Sequence, residues 1–359
     1  MRITNLATAR VDLPLDAPLR TSIHEIASVT CLLVTLETDE GLTGEGYAFC
    51  FGRDRLAVLE AMVDALRPMV IGRDPHQVEA LWEDMLRACN FLGAAGVTVI
   101  AMTPIDLACW DLVGKAAGQP LHRLWGGARE RVPAYASGGL WLSSGPEALA
   151  AEARGFLDQG FKAMKLRLGA IPLSENLARV EAVRDAIGPD ISLMADANQG
   201  LTVAEAIRLG RALEPYGLVW FEEPIPTWDH HGHAAIAAAI DTPLASGETE
   251  YLRHGLANMI ERRSADLLMP DLQRMGGYTE FRRAIGQMAA ANLPFSPHIF
   301  TEHSLHLATA GCAYVEHMPW FGALFRETME LDADGMIALP DGPGTGFSFD
   351  PDAIEPHRF

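Results

Sequence analysis

The spacing of hydrophobic and polar positions changes character twice along the chain, and each change marks a different kind of structure. Over residues 1–50 the apolar positions are largely β-branched and fall in short runs. In "SVTCLLVTLETDEGLTGEGYAF" two such runs flank "TDEGLTG", whose Asp, Glu and Gly predict a hairpin. From residue 54 the spacing becomes helical. Leu56, Leu59, Met62, Val63 and Leu66 fall on one face, with Pro68 as the expected stop. A second helix is predicted from Pro75 to Gly93. A third, "GVTVIAMTPIDLACWDLVGKAAGQP", is apolar over most of its surface and is closed by Gly118 and Pro120. Strands followed by helices in separate runs predict an α+β unit.

After "LHRLWGGARERV" the pattern alternates. Short apolar runs end near Ser137, Arg167, Asp196, Glu222, Glu248, Asp271, His298 and Glu316, in steps of 30, 29, 26, 26, 23, 27 and 18 residues. Stretches rich in Ala, Leu, Glu and Arg separate most of them. Eight such units predict a parallel (β/α)₈ barrel. The final segment, "LDADGMIALPDGPGTGFSFD", has no regular period and is read as a tail packing back on the first unit. The domains expected are therefore a cap over residues 1–125, a barrel over 126–330 and a returning tail over 331–359.

Composition narrows the partners. The chain has 359 residues, 28 Lys+Arg against 47 Asp+Glu, and a formal net charge of -19. That balance argues against a nucleic-acid partner, which calls for a basic patch. The five cysteines are scattered, with no CxxC pair, as expected in a reducing compartment. "MRITNLATARVDLPL" lacks the apolar stretch of a signal peptide, and no membrane partner is expected, so the protein is read as cytoplasmic.

Polar residues sit at each predicted strand end, and in a βα barrel these converge on one face. Asp196, Glu222 and Glu248 are 26 residues apart in each step. Each alone could be a solvated strand end or a helix cap. Together they would cluster about three negative charges, which is costly without a cation. An all-oxygen set favours a hard ion such as Mg²⁺ over zinc. "KLR" places Lys165 and Arg167 two apart, hence on one face of a strand. Asp271 and His298 end neighbouring strands, so the carboxylate can fix the imidazole tautomer, although a structural His–Asp pair would look the same.

The motifs "KLR", "ADAN", "FEEP", "SGE", "MPDLQRMGG" and "SPH", in this order and spacing, resemble those of the enolase superfamily, mandelate racemase subgroup. The resemblance covers essentially the whole chain. It implies a modified (β/α)₇β TIM barrel with an N-terminal α+β capping domain completed by the C-terminal tail. It further implies that Asp196, Glu222 and Glu248 hold Mg²⁺ and that His298, oriented by Asp271, is the base. Asn198, Ser137 and Lys165 would contact the substrate, Glu316 would hydrogen-bond the enolate, and His24 would tune specificity. The partner implied is a small-molecule carboxylate, bound by a chain that associates as a homo-oligomer.

Racemases of this subgroup usually carry a second Lys where this chain has Arg167. A guanidinium is protonated at neutral pH and is a poor base, so only one face of the substrate meets a competent base. That favours dehydration of a sugar acid, an aldonate or aldarate, to a 2-keto-3-deoxy acid. The alternatives are a racemase or epimerase using Lys165 or Arg167 as second base, and a non-catalytic metal-binding scaffold. Arg53 is a candidate for a distal carboxylate, "HHGH" (His230, His231, His233) is read as a polar loop, and Trp141 as packing.

Overall fold

A computed structural model describes residues 1–308 and 311–359. Three antiparallel strands, β1 (Ile3–Arg20), β2 (Glu25–Thr38) and β3 (Thr43–Cys50), pair in the order β1-β2-β3. The predicted hairpin joins β2 to β3, with Gly41 at φ 78° in its turn. Helices α1 (Arg53–Val70), α2 (Val78–Ala88) and α3 (Val97–Ala117) follow. Helix α1 runs past Pro68, the expected stop. A proline this close to the C-terminus forfeits one backbone hydrogen bond, and the helix ends only at Ile71. The second segment begins with a 3₁₀ turn at Pro75–Gln77 and ends earlier than expected, at Ala88.

Helix α3 has the length and hydropathy of a membrane span, yet 78% of that window is buried against the sheet and its sister helices. It lies so close to β3 that glycine is required there. A Cβ on Gly44 would stand 2.1 Å from the Ala108 carbonyl oxygen, and one on Gly46 would stand 2.3 Å from that of Pro104. Gly44→Ala is therefore expected to destabilise the protein by about 3 kcal/mol, through forced separation of β3 and α3. A denaturant midpoint unchanged from the parent protein would contradict this packing.

The second sheet is parallel, in the order β10-β4-β5-β6-β7-β8-β9. Its members are β4 (Arg131–Ala136), β5 (Ala163–Arg167), β6 (Ser192–Asp196), β7 (Phe221–Glu222), β8 (Leu244–Ser246), β9 (Leu267–Leu268) and β10 (Val315–His317). The seventh predicted strand, "LPFSPH", is not a regular strand. Pro294 and Pro297 cannot donate to a ladder, so only isolated bridges form. Phe295 pairs with Leu268 on one side and Cys312 on the other, and this closes the barrel. Helices Pro146–Asp158, Leu173–Ile187, Val203–Leu213, His230–Ala237, Leu252–Arg262 and Tyr278–Ala290 lie between successive strands.

Alternation along the strands separates two cores. Ala163, Met194, Trp220, Ala245 and Leu267 fill the barrel interior with Tyr135. Met164, Leu166, Leu193, Ala195 and Phe221 point outward against the helices. The residues two places beyond the interior set, Lys165, Asp196 and Glu222, therefore point inward one layer higher. The segment after residue 330 departs from the irregular tail expected: β11 (Met336–Ala338) pairs antiparallel with Arg131–Pro133 of β4. Beyond it the chain does reach the three-stranded unit. Thr345 N–H donates to buried Asp111 at 2.9 Å, Phe349 N–H donates to Glu45 at 2.9 Å, and Arg358 bridges to Val11.

Candidate active site

The C-terminal strand ends and the cap enclose a cavity of about 360 Å³. Lys165, Arg167, Asp196, Glu248, His298 and Glu316 line its barrel side. Lys165 is fully buried and is the hub of the charge network. Its Nζ lies 2.8 Å from Glu222 Oε1, 3.0 Å from Glu316 Oε1 and 3.7 Å from Asp196 Oδ2. Burial works against its charge, but Glu222 and Glu316 more than offset that and hold its pKa above the usual lysine value. It is a fixed ammonium.

Glu222 lies beneath the cavity floor, its second oxygen accepting from Trp220 Nε1 at 2.9 Å. Its pKa is raised by desolvation, against the pull of Lys165, with Asp196, Glu316 and Glu248 adding to the rise. Asp196 accepts from the Asn198 N–H at 2.7 Å and from Asn198 Nδ2 at 2.9 Å. Asn198, which lines the cavity, thus also orients Asp196; its Oδ1 is a buried acceptor with no partner.

Across the cavity His298 Nδ1 pairs with Asp271 Oδ2 at 2.7 Å, and Asp271 Oδ1 accepts from the Arg274 N–H at 2.9 Å. Assigning the proton to Nδ1, as a carboxylate partner requires, leaves Nε2 facing the cavity, 3.3 Å from Glu248 Oε2. Desolvation lowers the imidazole pKa, but Glu248, the Asp271 hydrogen bond and Glu316 outweigh it and raise it to about 9. Glu316 is held well below the ordinary carboxylate range. Desolvation opposes this, and Lys165, His298 and Arg167 impose it.

Ser137, expected against the substrate, is fully buried behind Glu316 and does not line the cavity. Its hydroxyl donates to Glu316 Oε1 at 2.5 Å and accepts from Arg167 Nη2 at 3.0 Å, so it locks those two together. Arg167 is also 3.5 Å from Asp196 Oδ2, and its guanidinium lies 4.5 Å above the Trp141 ring. Trp141 therefore clamps a site residue as well as packing. His24 stands exposed at the cavity mouth, its ring 5.8 Å from Phe51. Arg53 is diverted: it pairs with Asp12 at 2.8 Å and stacks on Phe359. "HHGH" opens a helix instead of forming a loop, because Asp229 caps it by accepting from the Gly232 N–H, and His230 pairs with Glu250 at 2.8 Å.

Two site residues were not singled out from the sequence. Glu223, the second acid of "FEEP", is buried and accepts from Gln199 Nε2, Ser246 Oγ and the Gly247 N–H. Desolvation and the charges of Glu248, Asp196 and Glu222 push its pKa well up. Arg274, inside "MPDLQRMGG", lines the cavity, donates to the Glu248 carbonyl at 2.8 Å and sits 3.7 Å from Asp271 Oδ2. The acid doublet and the lone Arg in an apolar motif were the available signals.

The charge balance bears on a metal. Asp196, Glu222, Glu223, Glu248, Asp271 and Glu316 face Lys165, Arg167, Arg274 and His298, and burial raises the pKa of Glu222 and Glu223, so these two acids keep their protons until a cation takes the place of those protons. Among the described residues no three acid, His or Cys side chains already grip one point. Lys165 Nζ stands between Asp196, Glu222 and Glu316. The donor set is nevertheless all oxygen and its buried acids are held short of ionisation, so it fits a hard divalent cation once Lys165 yields Glu222.

The chain is similar to known proteins. Residues 3–126 match the mandelate racemase / muconate lactonizing enzyme N-terminal domain, and residues 148–353 match the enolase C-terminal domain-like family. L-talarate/galactarate dehydratase of Salmonella typhimurium is 33% identical over 330 residues, covering 90% of this chain and 81% of its own. The 3,6-anhydro-alpha-L-galactonate cycloisomerase of Streptomyces coelicolor is 34% identical over 357 residues, 97% of each chain. The structure of the Salmonella typhimurium dehydratase liganded with Mg and L-lyxarohydroxamate superposes with a TM-score of 0.95, at 30% identity, over 100% of this chain and 93% of that one.

Proposed function

Because the chain belongs to the mandelate racemase and muconate lactonizing enzyme family of the enolase superfamily, we propose that it is a Mg²⁺-dependent hydro-lyase. It would remove the proton α to the carboxylate of a sugar acid and expel a β-hydroxyl, leaving a 2-keto-3-deoxy acid. The observation that carries this reading is the His298–Asp271 pair at 2.7 Å, on the barrel side of a cavity where the other basic side chains are Lys165, Arg167 and Arg274, all cations.

Asp196, Glu222 and Glu248 would hold Mg²⁺, which would supply Lewis-acid stabilisation of the charge that develops on the substrate carboxylate. The chain's own residues do the rest. Asp271 keeps the proton on His298 Nδ1, so Nε2, in the neutral imidazole, is the atom that accepts the α-proton. Lys165 offers an ammonium to the same carboxylate. Glu316 is ionised while it holds Lys165, and it can donate a hydrogen bond to the enolate only after taking up a proton, which release of Lys165 favours. Arg167 is clamped by Ser137, Trp141 and Asp196 and offers no second base. Protonated His298 then faces the departing hydroxyl, and loss of water followed by tautomerisation completes the reaction. The alternative of racemisation lacks the second base it needs. The five free cysteines support a cytoplasmic setting, and Phe91 and Leu92, 98% and 70% exposed on the cap, support a homo-oligomer.

A library of sugar acids incubated with Mg²⁺ and assayed for semicarbazone-forming product tests the proposal. A 2-keto acid from at least one member is expected; stereoinversion without keto acid would replace dehydration by racemisation.

The proton on His298 also sets a pH dependence. Below a pKa of about 9 the imidazolium beside Glu248 opposes a cation there. Mg²⁺ affinity is expected to rise between pH 6.5 and 9, by up to about tenfold per pH unit. Calorimetric titration at several pH values checks this, and His298→Asn should flatten the profile. A flat profile in the parent protein would contradict the placement of His298 against the metal site.

A further inference from the structure

We propose that the acid taken by this site is a monocarboxylate whose far end is uncharged and poor in free hydroxyls, such as a deoxy or anhydro sugar acid, and not a dicarboxylate. The inference rests on the proton-abstraction reading above and narrows its substrate class.

The cavity has two unlike walls. Every charged residue lining it comes from the barrel strand ends, where the reacting carboxylate and the cation belong. The opposite wall, from the cap, is built of Ile23, Ile26, Phe49, Phe51 and Ile100, joined by Trp320 from beyond β10. No Lys or Arg among the described cap residues lines it. Of the cap arginines beside lining residues, Arg53 pairs with Asp12, Arg55 donates to the Phe51 carbonyl at 2.7 Å, and Arg20, next to Thr21, is exposed and does not line the cavity.

Hydrogen-bonding capacity on that wall is equally thin. Thr21 Oγ1 already accepts from the His24 N–H at 3.0 Å and the Ile23 N–H at 3.3 Å. Gln273 reaches toward that wall from the barrel side, and its Oε1 already accepts from the Phe49 N–H at 3.1 Å. His24 and Cys50 are the ionisable cap residues that line the cavity; His24 stands exposed at the mouth, and burial pushes the Cys50 thiol up to about 11, so it carries no charge. A second carboxylate placed here would lose water and meet no fixed cation. Each extra hydroxyl would lose water and find few partners. A cyclic ether or a methyl-terminated end would bury against Ile26, Phe49 and Ile100 without that cost.

Two measurements separate this proposal from the reading beneath it. Binding is measured on His298→Asn loaded with Mg²⁺, using matched acids: an aldonate, its deoxy and anhydro counterparts, and the corresponding aldarate. Turnover of the same acids is measured on the unmodified enzyme. The hydroxyl-poor monoacids are expected to bind at least about 100-fold more tightly than the aldarate. Ile23→Arg, at a half-exposed position, is expected to narrow that gap by about tenfold by giving the aldarate a cation. Equal or tighter binding of the aldarate, or a ratio untouched by Ile23→Arg, overturns the substrate class even if aldarates are dehydrated. Absence of turnover for every acid overturns the dehydratase reading and this inference with it.

Discussion

Replacing His298 with Asn is expected to lower kcat/KM by about 10⁴-fold while leaving the fold nearly as stable as before. A positioned general base contributes about 10² to 10⁴ in rate, and the other basic side chains on the barrel side of the cavity are held as cations. Lys165 is an ammonium held by Glu222 and Glu316, and Arg167 is bound on Ser137 and Asp196. Stability should change little because the Asn amide can still donate to Asp271, whose other oxygen keeps the Arg274 N–H. Steady-state kinetics on an active sugar acid, together with a thermal melt, read both quantities. Activity within tenfold of the parent enzyme would mean that another group removes the proton.

Lys165→Met is expected to be damaging in a different way. The ammonium sits within 3.0 Å of two buried carboxylates and 3.7 Å from a third. Removing one partner of such a cluster leaves uncompensated buried charge, which costs about 3–5 kcal/mol. The metal-free variant should therefore show a clearly lower urea midpoint. Saturating Mg²⁺ should recover part of that loss, because a ligand present at 100 times its Kd stabilises by about 2.7 kcal/mol. Activity should not return with it, since the substrate carboxylate has lost its ammonium. An unchanged midpoint in the absence of metal would contradict the hub role of Lys165.

Sequence spacing carried the barrel well because each strand end bears a polar residue at a step of 18 to 30 residues, and inward alternation then forces Lys165, Asp196 and Glu222 onto one face. What spacing could not carry was depth. Ser137 and Glu222 look equivalent to Asn198 along the chain, yet both lie below the cavity floor, because their height depends on barrel stagger and on Trp220 beneath. Glu223 escaped because neighbouring acids in "FEEP" appear redundant. Only the turn at Glu223, with φ 34°, sends it sideways to Ser246 and Gly247. The irregular seventh strand was legible as a position but not as a non-strand, although Pro294 and Pro297 stood in the sequence. Arg53 was misplaced for a plainer reason: its partners Asp12 and Phe359 are remote along the chain, and one is the last residue.

Exchange of the substrate α-proton with solvent tests proton abstraction by His298 directly. A sugar acid that the enzyme turns over is incubated in D₂O with Mg²⁺ and followed by proton NMR, with the parent enzyme and His298→Asn side by side. The α-proton signal is expected to disappear with the parent enzyme, and to persist with His298→Asn or without divalent metal. Undiminished loss of the α-proton with His298→Asn, or turnover that leaves the α-proton in place, would contradict abstraction by His298.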